Sequence, residues 1–245
     1  MRSEFNNQRF IHTKQEIPKV FEQLVMEKAK PKIIRKCSKY QIGAIPKHRA
    51  QEHLYSIKSV ISWYSQLKMP LILQLFDISK FFDREVLVDG MNSLYNCEIV
   101  GKLYRLIFEL NRTTNLRVQT GVGTSRAIQV GPNITQGSVG GALISAVNLD
   151  HTVNQYFSKS DHEVSFVDLR LQPMIFQDDL SRLTSTIVGA QAGNYFVESC
   201  METKLLDLNI DKSCFIVVGS KNIIKNVKNE LETSPLLLCG QKNNM

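Results

Sequence analysis

Apolar positions along the chain fall into two rhythms, and the changes of rhythm mark its elements. Val20, Phe21, Leu24 and Val25 recur at helical spacing within residues 18–30, and Pro31 is expected to end that helix. A loop with Gly43 and Pro46 follows. An amphipathic helix is then predicted from about Gln51 to Leu67, with Leu54, Ile57, Val60, Ile61 and Tyr64 on its apolar face. Leu71 to Phe76 is a short, nearly continuous apolar run that ends in Asp77, the pattern of a central strand buried on both faces.

Beyond it the pattern predicts helices over 83–94 and 99–110, a glycine-containing hairpin over 117–130, and a helix over 142–157 after the glycine-rich loop 136–141. Met174 to Phe176 is a second apolar strand, stopping at Asp178 and Asp179, and Leu180 and Leu183 resume the pattern just beyond. Two strands joined by an acidic turn have this form. A helix (191–206), a strand (210–218) and a charged helix (221–231) complete the pass. A sheet with helices packed on it makes the fold class α+β or mixed α/β. No internal repeat or low-complexity linker interrupts the chain.

Composition narrows the setting more than the chemistry. A chain of 245 residues with 43% hydrophobic content can bury a substantial core. No apolar stretch is long enough to span a bilayer, and the opening MRSEFNNQRF lacks the apolar core of a signal peptide. No membrane partner is therefore expected, and the expected location is intracellular, in cytoplasm or nucleus. The five cysteines are scattered, odd in number and without CxxC spacing, which argues for reduced thiols over a disulfide framework or a zinc site. The net charge is +7, and from Lys28 to Arg49 there are eight Lys or Arg and no acid. Lys32, Arg35, Lys36, Lys39, Lys47 and Arg49 of that block are candidate contacts to a nucleic-acid backbone. A solvated basic face is the ordinary alternative.

Asp77 and the pair Asp178 and Asp179 carry the chemistry. Carboxylates brought together at strand ends raise each other's pKa unless a cation joins them, and a divalent metal with oxygen ligands is a common solution. Two such ions would suit transfer of a nucleotidyl group, which needs positioning and charge neutralisation. Taken singly, each feature also has an ordinary reading: an exposed acidic turn, and a cap for the following helix.

The neighbouring segments decide between these readings by resemblance. LILQLFDISKFFD (71–83) resembles the first catalytic motif of reverse transcriptases, TQGSVGG (135–141) their Gln-Gly-Ser loop, and MIFQDDL (174–180) their aromatic-x-Asp-Asp hairpin. LLDLNIDKS (205–213) is similar to the motif that places a lysine near the nucleotide. KYQIGAIPKHRAQEHL (39–54) is similar to the segment, with its Gln-x-Gly, that opens the palm in non-LTR, LINE-type retrotransposon enzymes. The motifs stand in the family's order and span roughly residues 20–240.

The resemblance implies an α+β polymerase palm, an RRM-like antiparallel sheet with packed helices, with part of the fingers and no thumb. Residues 1–38 would be a helical, basic part of the fingers, 39–240 the fingers and palm, and 241–245 a tail. It implies an RNA-directed DNA polymerase of a retrotransposon, with an RNA template, a DNA primer and deoxynucleoside triphosphates as partners and an endonuclease domain elsewhere in the parent element. Asp77 and Asp178 would hold two Mg2+ ions (or Mn2+), with Asp179 in support and the Ile78 backbone as a further oxygen. Phe82 would be the gate that rejects a ribose 2′-OH, unless it is a core aromatic as Phe81 beside it could be. Gln136 and Gly137 would contact the incoming nucleotide and templating base, with a helix-opening turn as the alternative. Lys212 would protonate the departing pyrophosphate, or else be a surface lysine.

The chain departs from the family at Gln177, where a small residue is usual, and at Asn133, Ile134 and Thr135, where Gly-Val-Pro is usual. Fingers strands would be expected before its start, and a primer-gripping hairpin and thumb at or after LLLCGQKNNM. Alternative functions are an inactive, truncated nucleic-acid-binding relic of such an element and an RNA-dependent RNA polymerase on the same palm. A carboxylate hydrolase ranks last.

Overall fold

An apolar run with one polar residue in its middle can be buried on both faces only if neighbours cover its edges and its sides. Leu71–Phe76 is placed in that way, at the interior of a four-stranded antiparallel sheet. The computed structural model describes residues 16–112, 114–131, 134, 137–158 and 160–242. In chain order the elements begin with α1 (Glu16–Lys36), α2 (Ala50–Gln66), β1 (Leu71–Phe76), β2 (Ile78–Ser79), α3 (Phe81–Arg84), α4 (Leu87–Asn96) and α5 (Gly101–Asn111). Four short strands follow, β3 (Thr114–Leu116), β4 (Gln119–Thr120), β5 (Gly123–Thr124) and β6 (Ile128–Val130), then α6 (Gly141–Phe157), β7 (Ser165–Phe166), β8 (Leu169–Arg170), β9 (Met174–Phe176) and β10 (Asp179–Thr184). The last are α7 (Ile187–Thr203), β11 (Asp207–Leu208), β12 (Cys214–Val218), α8 (Lys221–Thr233), β13 (Leu237–Leu238) and β14 (Gln241–Lys242).

Two compact units divide the chain. One takes Met1–Lys36 and Phe82–Asn148, the other Cys37–Phe81 and Leu149–Met245. The second holds the main sheet, in the order β12-β1-β10-β9. Counting only these strands along the chain, the spatial order is 4-1-3-2, that of a split β-α-β-β-α-β fold. Period two sorts its side chains. Leu71, Leu73, Met174 and Leu183 pack under Val60 and Tyr64 of α2. On the other face Ile72 and Phe215 meet Ala190 of α7 and Leu236, with Leu231 of α8 against them.

Gln74, the polar residue inside β1, is fully buried and fully used. Its amide donates to Ala190 O (2.9 Å) and Asn194 Oδ1 (2.7 Å), and its oxygen accepts from Arg182 Nη1 (2.8 Å). Arg182 also donates to Gly189 O (2.8 Å) and reaches Glu163 (3.3 Å), which Arg170 holds from the far side (2.5 Å). A Cβ on Gly193 would lie 2.2 Å from Arg182 Nη1, so a larger residue at this α7 position would displace the guanidinium. The network satisfies polar groups that would otherwise cost several kcal/mol, about 1–3 each.

In the first unit α5 packs against α1 and α4, and Met91 and Leu94 of α4 and Ile107 of α5 are buried. Here α1 corrects the sequence reading twice. Pro31 lies inside the helix, which runs on to Lys36. The buried face is Glu22, Val25, Met26, Ala29 and Ile33, whereas Val20, Phe21 and Leu24 are exposed. The apolar positions alone misplaced that face because Glu22 is part of it: its carboxylate accepts the N–H of Gly140 (3.3 Å).

Smaller differences have local causes. The helix expected over 83–94 is two, α3 and α4, broken at Glu85 and Val86. The helix expected from Gln191 starts at Ile187, because Thr186 caps it by accepting the N–H of Gly189 (3.0 Å). The expected strand 210–218 is only Cys214–Val218, the residues before it forming a turn. On α2, Leu54 is exposed and only Val60 and Tyr64 are buried. All five cysteines are free; Cys97 and Cys200 are buried, and burial pushes the Cys200 thiol up to about 12. Among the described residues no helix is long and apolar enough to cross a membrane.

Candidate active site

β1 and β10 run antiparallel with Phe76 opposite Leu180. One step further along that register brings Asp77 level with Asp179, and period two points both to the face that α2 covers. Asp77 is fixed through its backbone: its N–H donates to Ser213 Oγ (3.1 Å), and its carbonyl accepts the N–H of Asn209 (2.8 Å). Beyond it β2 pairs with β11, Ile78 opposite Leu208, so the Ile78 backbone is held in register. The side chain of Asp77 is half-buried.

Asp178 lies in the two-residue turn between β9 and β10, and Asp179 opens β10 opposite Phe176. Gln177, the first turn residue, has φ +59°. Only the first central residue is positive, which is the φ pattern of a type II′ hairpin turn, where glycine is usual. A side chain there costs about 1–3 kcal/mol, so the surroundings must hold the turn. Burial, then the charge of Asp77, raises the Asp179 carboxyl above the ordinary aspartate range. Asp77 and Asp179 are thus coupled electrostatically across two strands.

A cleft of about 380 Å³ opens beside them. Asp77, Asp179 and the exposed Lys212 give it two acids and a base; Leu54, Ile57, Met174 and Phe176 give it apolar walls. Lys212 sits in the turn before β12, its N–H donating to Asn209 O (3.2 Å). His53 of α2 also lines the cleft, and burial lowers its pKa. Among the described residues no group of three or more His, Cys, Asp and Glu is gathered to hold a metal ion. Magnesium rarely needs such a cage, since it commonly takes one or two carboxylates and completes its shell with water and substrate phosphates. Two mutually repelling carboxylates facing an open cleft suit that requirement.

The remaining sequence candidates are distributed as follows. Phe81 is buried and Phe82 half-buried, so the core aromatic of the pair is Phe81. Gly137 is exposed with φ +97°, a conformation glycine adopts without strain, and Gln136 lies outside the described residues. Phe82 and Gly137 belong to the first unit, Asp77, Asp178, Asp179 and Lys212 to the second. Three of the six basic candidates converge on one acid. Arg35 and Lys36 each pair with the Glu98 carboxylate at 2.8 Å, and Lys32 donates to its carbonyl at 2.8 Å. The bond from Lys36 and the charges of Lys36 and Arg35 hold the Glu98 carboxyl below its ordinary value. Lys39 lies over the Tyr40 ring (5.2 Å), and Lys47 and Arg49 are exposed.

Sequence reasoning missed Ser213 and Asn209, which anchor Asp77, and His53 in the cleft. The two anchors flank Lys212 in the motif already singled out, so their signal was position. At the end of the chain β13 and β14 form a short hairpin over Leu237–Lys242.

No protein-family model matches the chain, and no curated protein does. Solved structures do. Telomerase from Candida albicans, in complex with the TWJ fragment of telomeric RNA, matches with a TM-score of 0.62 at 13% identity, over 81% of this chain and 34% of that one. Apo telomerase from Candida tropicalis, truncated from its C-terminal domain, matches with a TM-score of 0.61 at 14% identity, over 90% of this chain and 47% of that one. Another apo telomerase structure from Candida tropicalis matches with a TM-score of 0.61 at 10% identity, over 82% of this chain and 37% of that one. The likeness is one of fold: a mixed α+β palm of the type seen in telomerase reverse transcriptases. The chain spans between a third and a half of the length of these telomerases.

Proposed function

We propose that the chain is the palm-containing part of an RNA-directed DNA polymerase, which extends a DNA primer on an RNA template. The observation that carries this reading is the meeting of Asp77 and Asp179 across neighbouring antiparallel strands, with Lys212 in the same cleft. The palm-type likeness to telomerases supports it independently. Within it, Asp77 and Asp178, with Asp179 beside them, hold magnesium or manganese, and the backbone of Ile78 is the further oxygen. Bound there, the metal supplies charge neutralisation for phosphoryl oxygens and a more acidic primer hydroxyl.

The chain's own residues do the rest. Ser213 and Asn209 keep Asp77 at the strand end, and the β9–β10 turn presents Asp178 and Asp179. Lys212 places a cation where a leaving pyrophosphate would need a proton. Phe82 excludes the 2′-OH, and Gln136 and Gly137 contact the nucleotide. Lys32, Arg35, Lys36, Lys39, Lys47 and Arg49 follow the nucleic-acid backbone, with Glu98 fixing the first three. The motif order of residues 39–54 favours a non-LTR retrotransposon as the source, with an endonuclease domain elsewhere in the element.

The test is extension of a DNA primer on an RNA template with deoxynucleotides and Mg2+, comparing the chain with Asp77→Asn and Asp178→Asn. Extension by wild type alone is expected. The run of eight Lys or Arg from Lys28 to Arg49 equally suits a second reading, a nucleic-acid-binding relic without catalysis. Tight binding of the primer–template with no extension by any form would select that reading.

A further inference from the structure

The turn that carries Asp178 is held by a segment remote from it in sequence. Tyr40 to Ile42 lies alongside β9 as a parallel bridge, Ile175 N–H donating to Tyr40 O (2.8 Å) and Ile42 N–H to Ile175 O (3.1 Å). This places Gln41, 2% exposed, behind the turn. Its side-chain oxygen accepts two N–H groups, from Gly43 (2.8 Å) and from Gln177 (3.3 Å). Gly43 is packed so tightly that a Cβ would lie 2.0 Å from Gln177 N and 2.7 Å from the Phe176 carbonyl carbon. The Gln-x-Gly pair is thus a bracket: the glycine lets two backbones touch, and the glutamine ties them together.

What it ties is the peptide leading into Gln177, the residue whose left-handed φ a side chain disfavours. A two-residue turn with no such tie has easier conformations, and each moves Asp178 and the start of β10. Asp179 must stay opposite Asp77 for the two carboxylates to act on one cation.

We propose that Gln41 is a positioning residue for the carboxylate turn, acting through the Gln177 N–H and touching neither nucleotide nor metal. The proposal rests on the polymerase reading above and extends it to a residue outside the cleft. Gln41→Met keeps the length and volume of the side chain and removes the oxygen. Gln41→Glu keeps an oxygen acceptor. If the oxygen matters, the first variant loses kcat by roughly 10- to 100-fold, the effect of a small misplacement of catalytic groups. Its KM for primer–template stays within about twofold, since the buried Gln41 is not itself a nucleic-acid contact.

The experiment combines steady-state primer extension, thermal unfolding, and hydrogen–deuterium exchange read at the Gln177 amide. The expected result is faster Gln177 exchange and lower kcat in Gln41→Met, unchanged exchange at Leu183, and recovery of both properties in Gln41→Glu. Slow Gln177 exchange in Gln41→Met, a kcat equal to wild type, or equal losses in both variants would overturn it. So would loss of the unfolding transition in Gln41→Met alongside fast exchange at Leu183, which would make the residue a support of the whole sheet. A wild-type chain that extends no primer defeats the polymerase reading itself and the catalytic role with it. That failure is distinguishable, because it appears before any variant is compared.

Discussion

Asp77 and Asp179 stand level across β1 and β10, and the charge of the first adds to burial in raising the carboxyl of the second. A raised carboxyl binds its proton more tightly in the folded chain than in the unfolded one. Its contribution to stability is therefore fully present below the ordinary aspartate value of 3.8 and is lost as pH rises through the raised folded value. At neutral pH the ionised pair opposes folding. Asp179→Asn should raise stability at pH 7 while abolishing extension. Because Asp179 is exposed, solvent screening limits the gain to roughly 0.5 kcal/mol. Thermal unfolding at pH 7 should show a rise of about 1–2 °C. A lower Tm would mean that the two acids are not in mutual repulsion.

The strand ends that hold these acids were legible in the sequence because burial leaves a simple trace. Leu71–Phe76 and Met174–Phe176 are apolar runs stopped by acids, and both are strands with those limits. What was not legible is what polar side chains do inside the fold. Glu22 shifts the buried face of α1, and Gln74 sits inside a core strand, because each finds a partner far along the chain. Periodicity counts such residues as surface. The same blindness hid Gln41: its motif was visible, but its bond to Gln177, 136 residues away, is a fact of packing.

Phe81 and Phe82 should respond differently to the same change. Phe81 is buried, so Phe81→Ala is expected to cost about 3–5 kcal/mol in urea unfolding. Phe82 is half-buried, and under the proposed role of sugar gate its truncation should spare stability and admit ribonucleotides, by about 10-fold or more in the ratio of kcat/KM values. Single-nucleotide incorporation with each sugar measures this. Unchanged discrimination in Phe82→Ala removes the gate assignment.

Gly43→Ala tests the contact between the loop and the carboxylate turn. The added methyl would overlap backbone atoms of Phe176 and Gln177, which cannot move aside as a flexible side chain would. Overpacking of this kind costs about 1–3 kcal/mol. The loss should appear in chemical unfolding, together with faster amide exchange over residues 174–180. A variant as stable as wild type would show that the loop can separate from the turn.

Arg182 and Glu163 form a buried ion pair, with side chains 1% and 0% exposed. Burial alone would raise the Glu163 carboxyl, but hydrogen bonds from Arg170 and Ser160 and the charge of Arg182 hold it below the ordinary 4.5. A lowered carboxyl contributes stability that is fully present above the unfolded value and is lost as pH falls through the folded one. Wild type should therefore lose stability below about pH 4.5, and Glu163→Gln should flatten that acid limb. Glu163→Leu goes further, leaving the Arg182 guanidinium buried without its acid, at a cost of about 3–5 kcal/mol. The double change Glu163→Leu with Arg182→Leu removes both charges and should recover much of that loss. Arg182 is on the β10 face opposite Asp179, so the recovered protein should keep kcat near wild type. If the double variant is no more stable than Glu163→Leu, the bonds from Arg182 to Gln74 and Gly189 matter more than its charge pairing, and the sheet depends on the guanidinium as a hydrogen-bonding bridge.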